Sequence, residues 1–439
     1  MIQSRKNCKF YLALVIFSLV GQVAWVVENM YLNVFIYKMF HASAEDISLM
    51  VAASAVTATV TTLLIGALSD KLGRRKLFIC AGYIAWGISI LGFALIRLEW
   101  VDQTFCRMYS SFGPALSLCI TLTIVLDCLM TFFGSSANDA AFNAWLTDAT
   151  DETNRGAMEG INSMMPLVAI LAVFGGFMSL DQDLQKSWTV IFCVIGGLVL
   201  ALGVAGIFLV EETGVKKQEN SRYFANILYG FRPGVIRANL PLYATLAALA
   251  LYNISIQIFM PYLILYYTES LKMANYVLIF APAIVVAATF TALYGKVFDR
   301  RGFCFAVLPT LALLAVGYVG LYFFRATAPV FLFSMIMMCG FLGTGAMLGA
   351  QIRACTPENK AGMFQGLRIV GQVLIPGVVG PAIGAAILKN ADTVTNTDGT
   401  TSFVPNENIF LGALVALIVT FAALIPLFKL LRREQWNAR

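Results

Sequence analysis

Gly66-Ala-Leu-Ser-Asp70-Lys-Leu-Gly73-Arg74-Arg75 is a short polar stretch between two long apolar ones. A degenerate copy, Gly295-Lys-Val-Phe-Asp299-Arg300-Arg301-Gly302, follows at an offset of 229 residues. A second pair keeps the same order: Glu152-Thr-Asn-Arg155-Gly156-Ala-Met-Glu-Gly160 and Glu358-Asn-Lys-Ala-Gly362-Met-Phe-Gln-Gly366. Two independent matches in one order indicate a duplicated chain, a common way of building membrane folds. In the first motif the glycines permit a tight turn and close helix approach, the aspartate suits a helix N-terminus, and the basic run holds the loop at a membrane surface.

Working outward, apolar runs long enough to cross a bilayer fall at about 10 to 39, 47 to 68, 77 to 98, 115 to 147, 157 to 180, 188 to 210, 240 to 267, 275 to 293, 305 to 324, 330 to 352, 363 to 388 and 409 to 430. They predict an all-α membrane protein of twelve transmembrane helices in two pseudo-symmetric halves, residues 1–210 and 240–439, joined by a polar linker at 211–239. Composition agrees: of 439 residues 59% are apolar and only 12% charged, about half the charge of a soluble chain. The first run follows Arg5, Lys6 and Lys9 as a signal peptide would, but it has no small-residue cleavage site and carries Glu28, so it reads as a retained helix.

Of the 30 Lys and Arg, 22 fall on the side of the N-terminal tail and 7 on the other. The positive-inside rule then puts both termini in the cytoplasm. The net charge of +6 is therefore an orientation signal and implies no nucleic acid. Nine cysteines without CxxC spacing read as small buried hydrophobes. With one histidine, His41, and no Ser/His/Asp, metal-ligand or phosphate-cradling pattern, enzyme chemistry, cofactors and metals are not expected.

Ionisable and amide groups inside spans are costly and therefore candidates for function. At 100° per residue Gln22, Trp25, Asn29 and Asn33 form a polar stripe about 80° wide on the first helix, with Glu28 about 100° to one side of Asn29. On the fourth helix Asp127, Thr131, Ser135 and Asn138 share a sector, with Asp139 and Asn143 beside it. The run is longer than one straight span: an exit near Thr147, favoured by the loop at Arg155-Gly156, puts Asp139 in the core and Asp127 near the outer, solvated surface, whereas an entry at Ala115 makes Asp127 central. The seventh helix offers Tyr252, Asn253 and Gln257; the eleventh offers Gln365, Arg368 and Gln372, with Pro376 and Pro381 to bend it. Arg368 can pair across a cavity, meet a substrate anion, or snorkel to the surface. Amides with aromatics and few fixed charges suit a neutral polyhydroxylated solute.

The Gly66 loop, its copy at Gly295 and the twelve-span layout resemble the major facilitator superfamily of secondary transporters. The resemblance implies six-helix halves rocking about a central cavity. It further implies gating roles for Asp70, set against the start of the eleventh helix, for Arg74 or Arg155, and more weakly for Asp299 and Arg300. Within that superfamily the segment from Asn138 to Arg155 is similar to the fourth helix and loop of the glycoside-pentoside-hexuronide cation symporters. By that likeness Asp139 is a sugar-binding aspartate, with Trp145 a nearby aromatic. Their cation-site aspartates on the second helix are here Thr62 and Ala58, which argues against sodium. Glu28 is similar in place to the first-helix carboxylate of proton-coupled and sucrose-type sugar carriers.

The expectation is a monomeric plasma-membrane symporter of protons with a sugar or similar small polar solute. Glu28 and Asp139 serve coupling, and Gln22, Trp25, Asn29, Asn33, Asn143, Asn253, Gln257, Arg368 and Gln372 bind solute. The alternatives are a proton-coupled drug or metabolite exporter, disfavoured because Ser163-Met-Met-Pro166 lacks the glycine-proline signature of antiporters, and a solute sensor or lipid carrier on the same fold.

Overall fold

A computed structural model describes residues 2–106, 115–149, 155–212, 231–273, 275–356, 366–396 and 399–437. The long helices are α1 (Lys9–Phe40), α2 (Ala44–Gly66), α3 (Arg75–Phe93), α4 (Ala115–Ala149), α6 (Gln185–Leu209) and, in the second half of the chain, α7 (Leu240–Ser270), α8 (Val277–Arg301), α9 (Phe303–Phe323), α10 (Thr327–Cys355), α11 (Gly366–Leu388) and α12 (Asn408–Arg432). These 11 are long and apolar enough to cross a membrane. Between α4 and α6 lies α5 (Arg155–Phe177), whose 23 residues reach about 34 Å at 1.5 Å per residue, a bilayer's hydrocarbon thickness. The chain divides into two compact units, Met1–Ser221 and Arg222–Arg439. Among the described residues the only strands are Thr393–Thr395 and Thr401–Phe403, an antiparallel ribbon between α11 and α12.

Local chemistry ends each helix where the sequence changes character. His41 closes α1 in the left-handed region at φ 52°, and two residues later the Ser43 hydroxyl accepts from the Asp46 amide while Asp46 accepts from the Ser43 amide, a reciprocal cap that starts α2. Beyond the apolar span of α2 the helix continues to Leu72, where Gly73 ends it at φ 63°, and Gly302 ends α8 at φ 76°. These two glycines occupy equivalent places in the repeated motif, and both need a positive φ that a Cβ disfavours.

The first unit is held by close helix contact. A Cβ on Gly87 of α3 would lie 2.5 Å from Leu200 N and 2.8 Å from Gly196 O of α6. Only a bare backbone allows that approach, and without a hydrophobic drive between helices in lipid such packing supplies the association. Phe35, Phe40, Trp188 and Phe192 fill the seam between α1 and α6 with edge and tilted ring contacts. In the second unit Gly340 of α10 meets Leu314 of α9 in the same way.

Four of the long helices contain a π-helical turn: Val27–Tyr31 in α1, Ser135–Phe142 in α4, Tyr266–Ser270 in α7 and Val370–Leu374 in α11. A π turn inserts a residue and rotates everything beyond it relative to an α-helical wheel; such bulges concentrate at functional sites.

Candidate functional site

The π turn of α1 falls within the stripe expected on that helix. Gln22 and Trp25 precede it and are half-buried; Asn29 lies within it and is exposed, and Asn33 beyond it is fully buried. The four side chains therefore differ in exposure, and 100° per residue does not hold across the bulge. Asn29 donates to Trp25 O and Asn33 to Asn29 O, so both amides are spent partly on the loosened backbone, although Asn33 Oδ1 is buried without a partner. Trp25 lies against buried Trp86 of α3, ring centroids 5.1 Å apart.

The same turn carries Glu28 into the unit. Its side chain is 6% exposed. Oε1 accepts from Ser54 Oγ of α2 at 2.8 Å and from Thr131 Oγ1 of α4 at 2.9 Å, and those two hydroxyls are 2.8 Å apart. Oε2 has no hydrogen-bond partner. Three helices thus converge on one carboxyl. Ser54 lies ten residues into α2, about 15 Å from its start and near its middle, so the site is deep within the span.

This contact also fixes the depth of α4. Asp127, expected near the outer surface, is 2% exposed and one helical turn before Thr131, level with the middle of α2. The helix runs 35 residues from Ala115 to Ala149, long enough to bury both aspartates. Asp139 is half-buried in the π turn, beside Ser135. Asn138, next to it, donates to the Tyr83 hydroxyl at 2.7 Å, which in turn donates to Phe17 O at 3.0 Å. Asn143 is exposed and donates to Asp139 O.

At the loop end of the first unit the buried cation is Arg75, 4% exposed; its Nε meets Asp148 Oδ2 at 3.1 Å and its Nη1 meets Ser69 Oγ at 2.5 Å. Arg74, the expected gating residue, is exposed at the turn. The side chains of Asp70 and Arg155, like Gln365, lie outside the described positions. Trp145 donates to Glu211 O and packs between Phe10 and Phe142.

In the second unit Asn253 Nδ2 is buried without a partner, and Gln257 packs against Gly380 of α11, where a Cβ would come within 2.4 Å of it. Arg368 Nε donates to Gln372 Oε1 at 3.2 Å along α11. Tyr252 donates to Phe341 O at 2.6 Å. Asp299 and Arg300 are exposed at the end of α8. Thr131 was part of the polar sector read on the fourth helix, whereas Ser54, Tyr83 and Arg75 were not singled out by sequence. Ser54 and Tyr83 have no periodic signature, and Arg75 differs from its neighbour Arg74 only in being the first residue inside α3.

Two duplicated helical units, glycine-capped repeat loops and buried polar groups within apolar spans define a polytopic membrane protein of the transporter type. The Major Facilitator Superfamily profile matches residues 11–381, and the chain belongs to that superfamily. Solved structures of similar fold include a point mutant of the nucleoside transporter NupG (12% identity, 95% of this chain and 99% of that one, TM-score 0.71). A bacterial homolog of the human lysosomal transporter Spinster is similar over 96% of this chain and 97% of its own (14% identity, TM-score 0.70). A D-xylose–proton symporter is similar over 94% and 97% (12% identity, TM-score 0.67). A search by sequence among curated proteins finds no match. The chain is therefore a transporter and not an enzyme.

Proposed function

We propose that this protein carries a small polar solute, a sugar or a related polyhydroxylated compound, together with a proton. Glu28 is the proton carrier. The observation that carries the reading is a carboxyl buried mid-span between two hydroxyls, with no Lys, Arg or His among the described residues acting on it. A carboxylate so placed is costly when ionised and cheap when neutral, so it takes up a proton when the site closes and gives it up when water returns. Alternation between two six-helix halves supplies the opening and closing, with both termini in the cytoplasm.

Solute binding is assigned to Trp25, Asp139 and Asn143 in the first unit, with Gln22 and the amides Asn253, Gln257 and Gln372 and the cation Arg368. Amides and an aromatic face suit hydroxyl-rich ligands. That similarly folded proteins include a nucleoside transporter and a D-xylose–proton symporter supports this solute class. The Asp139 assignment rests on the likeness of its segment to glycoside-type symporters, and sodium coupling is disfavoured by Thr62 and Ala58.

The test is transport by the full chain in proteoliposomes holding a pH dye, screened against pentoses, hexoses, disaccharides and nucleosides. An inward solute gradient acidifies the lumen and alkalinises the outside in wild type. Glu28→Gln abolishes that proton movement and retains solute counterflow. Solute-driven alkalinisation that survives in Glu28→Gln would overturn the proton assignment. Proton entry coupled to drug extrusion instead would establish the exporter, and binding without counterflow a sensor.

A further inference from the structure

The Glu28 site holds more acid than one proton carrier requires. Asp127 lies four residues before Thr131 on the same face of α4, buried one helical turn from the hydroxyl that donates to Glu28, so the two carboxyls flank the bridge formed by Ser54 and Thr131. Both side chains are more than nine-tenths buried, at 6% and 2% exposed. Each has one buried oxygen without a hydrogen-bond partner among the described residues, Oε2 of Glu28 and Oδ1 of Asp127.

Few other groups face the pair. Cys128 neighbours both carboxyls from α4, and Asp139 acts on Glu28 from further along that helix. The face of α2 presents Ser54 and Thr57. Tyr31, on α1 itself, packs against Phe174, Phe177 and Trp188. Among the described residues no cationic side chain acts on either carboxyl. Two ionised carboxylates in such surroundings lose their solvation and repel one another, and the Ser54 and Thr131 hydroxyls offset only part of the first cost. One retained proton removes most of both.

We infer that Glu28 and Asp127 are a single proton-binding unit, in which the charge on one carboxyl holds a proton on the other beside the Ser54–Thr131 bridge. Loading is the addition of one proton from water to a carboxylate oxygen, leaving one O–H and one negative charge; release reverses it. The inference rests on Glu28 as the coupling group and adds Asp127 as the residue that sets when its proton leaves.

The proton itself is the probe. Full-length protein in detergent is titrated while the infrared stretch of protonated carboxyls is followed, for wild type, Glu28→Gln, Asp127→Asn and Ser54→Ala. The band titrating in wild type is lost in Glu28→Gln. In Asp127→Asn it disappears at a pH lower by at least about one unit, tenfold in proton affinity, because the negative neighbour is gone. In Ser54→Ala it disappears at a higher pH, because a donor to the ionised form is gone. An unmoved midpoint in Asp127→Asn overturns the pair yet leaves Glu28 as carrier, whereas failure of the carrier role appears separately in the proteoliposome assay. A midpoint that shifts between sodium and choline in wild type, and no longer does so in Asp127→Asn, overturns the proton unit in favour of a metal-cation site. Monodisperse elution and melting temperature report folding. Should Asp127→Asn not fold, Ser54→Ala decides, since it keeps both carboxyls and an unmoved midpoint there overturns the inference.

Discussion

Arg75 at the start of α3 is joined to Asp148 at the end of α4, Nε to Oδ2 at 3.1 Å, while its neighbour Arg74 points to solvent. The pair ties the repeated glycine loop to the fourth helix within one unit. Arg75 is nearly buried and donates to both Asp148 and Ser69, while Asp148 is exposed and Ser69 also bonds Gly66 O, so removing Arg75 leaves two hydrogen bonds unmade without stranding either acceptor. Arg75→Ala is expected to cost about 1 kcal/mol, the scale of a hydrogen bond to a solvent-screened partner, and to lower the melting temperature in detergent. Arg74→Ala should leave it unchanged. Equal effects of the two would contradict the placement.

Gly87 lies where α3 and α6 touch, and Gly197, one residue beyond the contacting Gly196, has nothing within 4 Å of an added Cβ. Gly87→Ala forces the helices apart and should destabilise by about 1–3 kcal/mol, as overpacking does. Gly197→Ala meets open space and should be neutral or slightly stabilising. Thermal unfolding of the two variants side by side reads the difference.

Trp25 presents a half-buried ring supported from behind by Trp86. On the proposed solute reading, Trp25→Ala weakens binding about tenfold, which corresponds to about 1.4 kcal/mol, within the range of aromatic contacts. Trp25→Phe retains most of the affinity. Equilibrium binding of the transported sugar to purified protein measures it, and unchanged affinity in Trp25→Ala removes Trp25 from the solute site.

Proton coupling through Glu28 sets the sign of the pH dependence. A loaded carrier needs the protonated carboxyl, so initial solute uptake in wild type falls as external pH rises. Glu28→Gln mimics the protonated form permanently, so its counterflow should be flat with pH. A wild-type profile that rises with pH would be the wrong sign for symport.

Much of this was written in the sequence. The twelve spans follow from apolar run length, because a bilayer sets a minimum number of residues per helix. The repeat at Gly73 and Gly302 was legible because a tight turn admits few residue types, and both glycines take positive φ. Glu28 stood out because a carboxyl in an apolar run has a cost that needs a reason. The π turn within the stripe of Gln22, Trp25, Asn29 and Asn33 was not legible. The stripe assumes an unbroken α-helix, and nothing in Val27-Glu-Asn-Met-Tyr31 announces a π turn.

The sequence by itself determined the membrane, the duplication and the superfamily, since these depend on hydropathy and on residues adjacent along the chain. Only the tertiary structure decided that Glu28 meets Ser54 and Thr131, that Asp127 is deep rather than solvated, and that Arg75 rather than Arg74 is the buried cation. Those facts depend on helix rotation and depth. Rotation is reset by each π turn, and depth by which neighbour a helix packs against, so neither is encoded in the local pattern of polar and apolar residues.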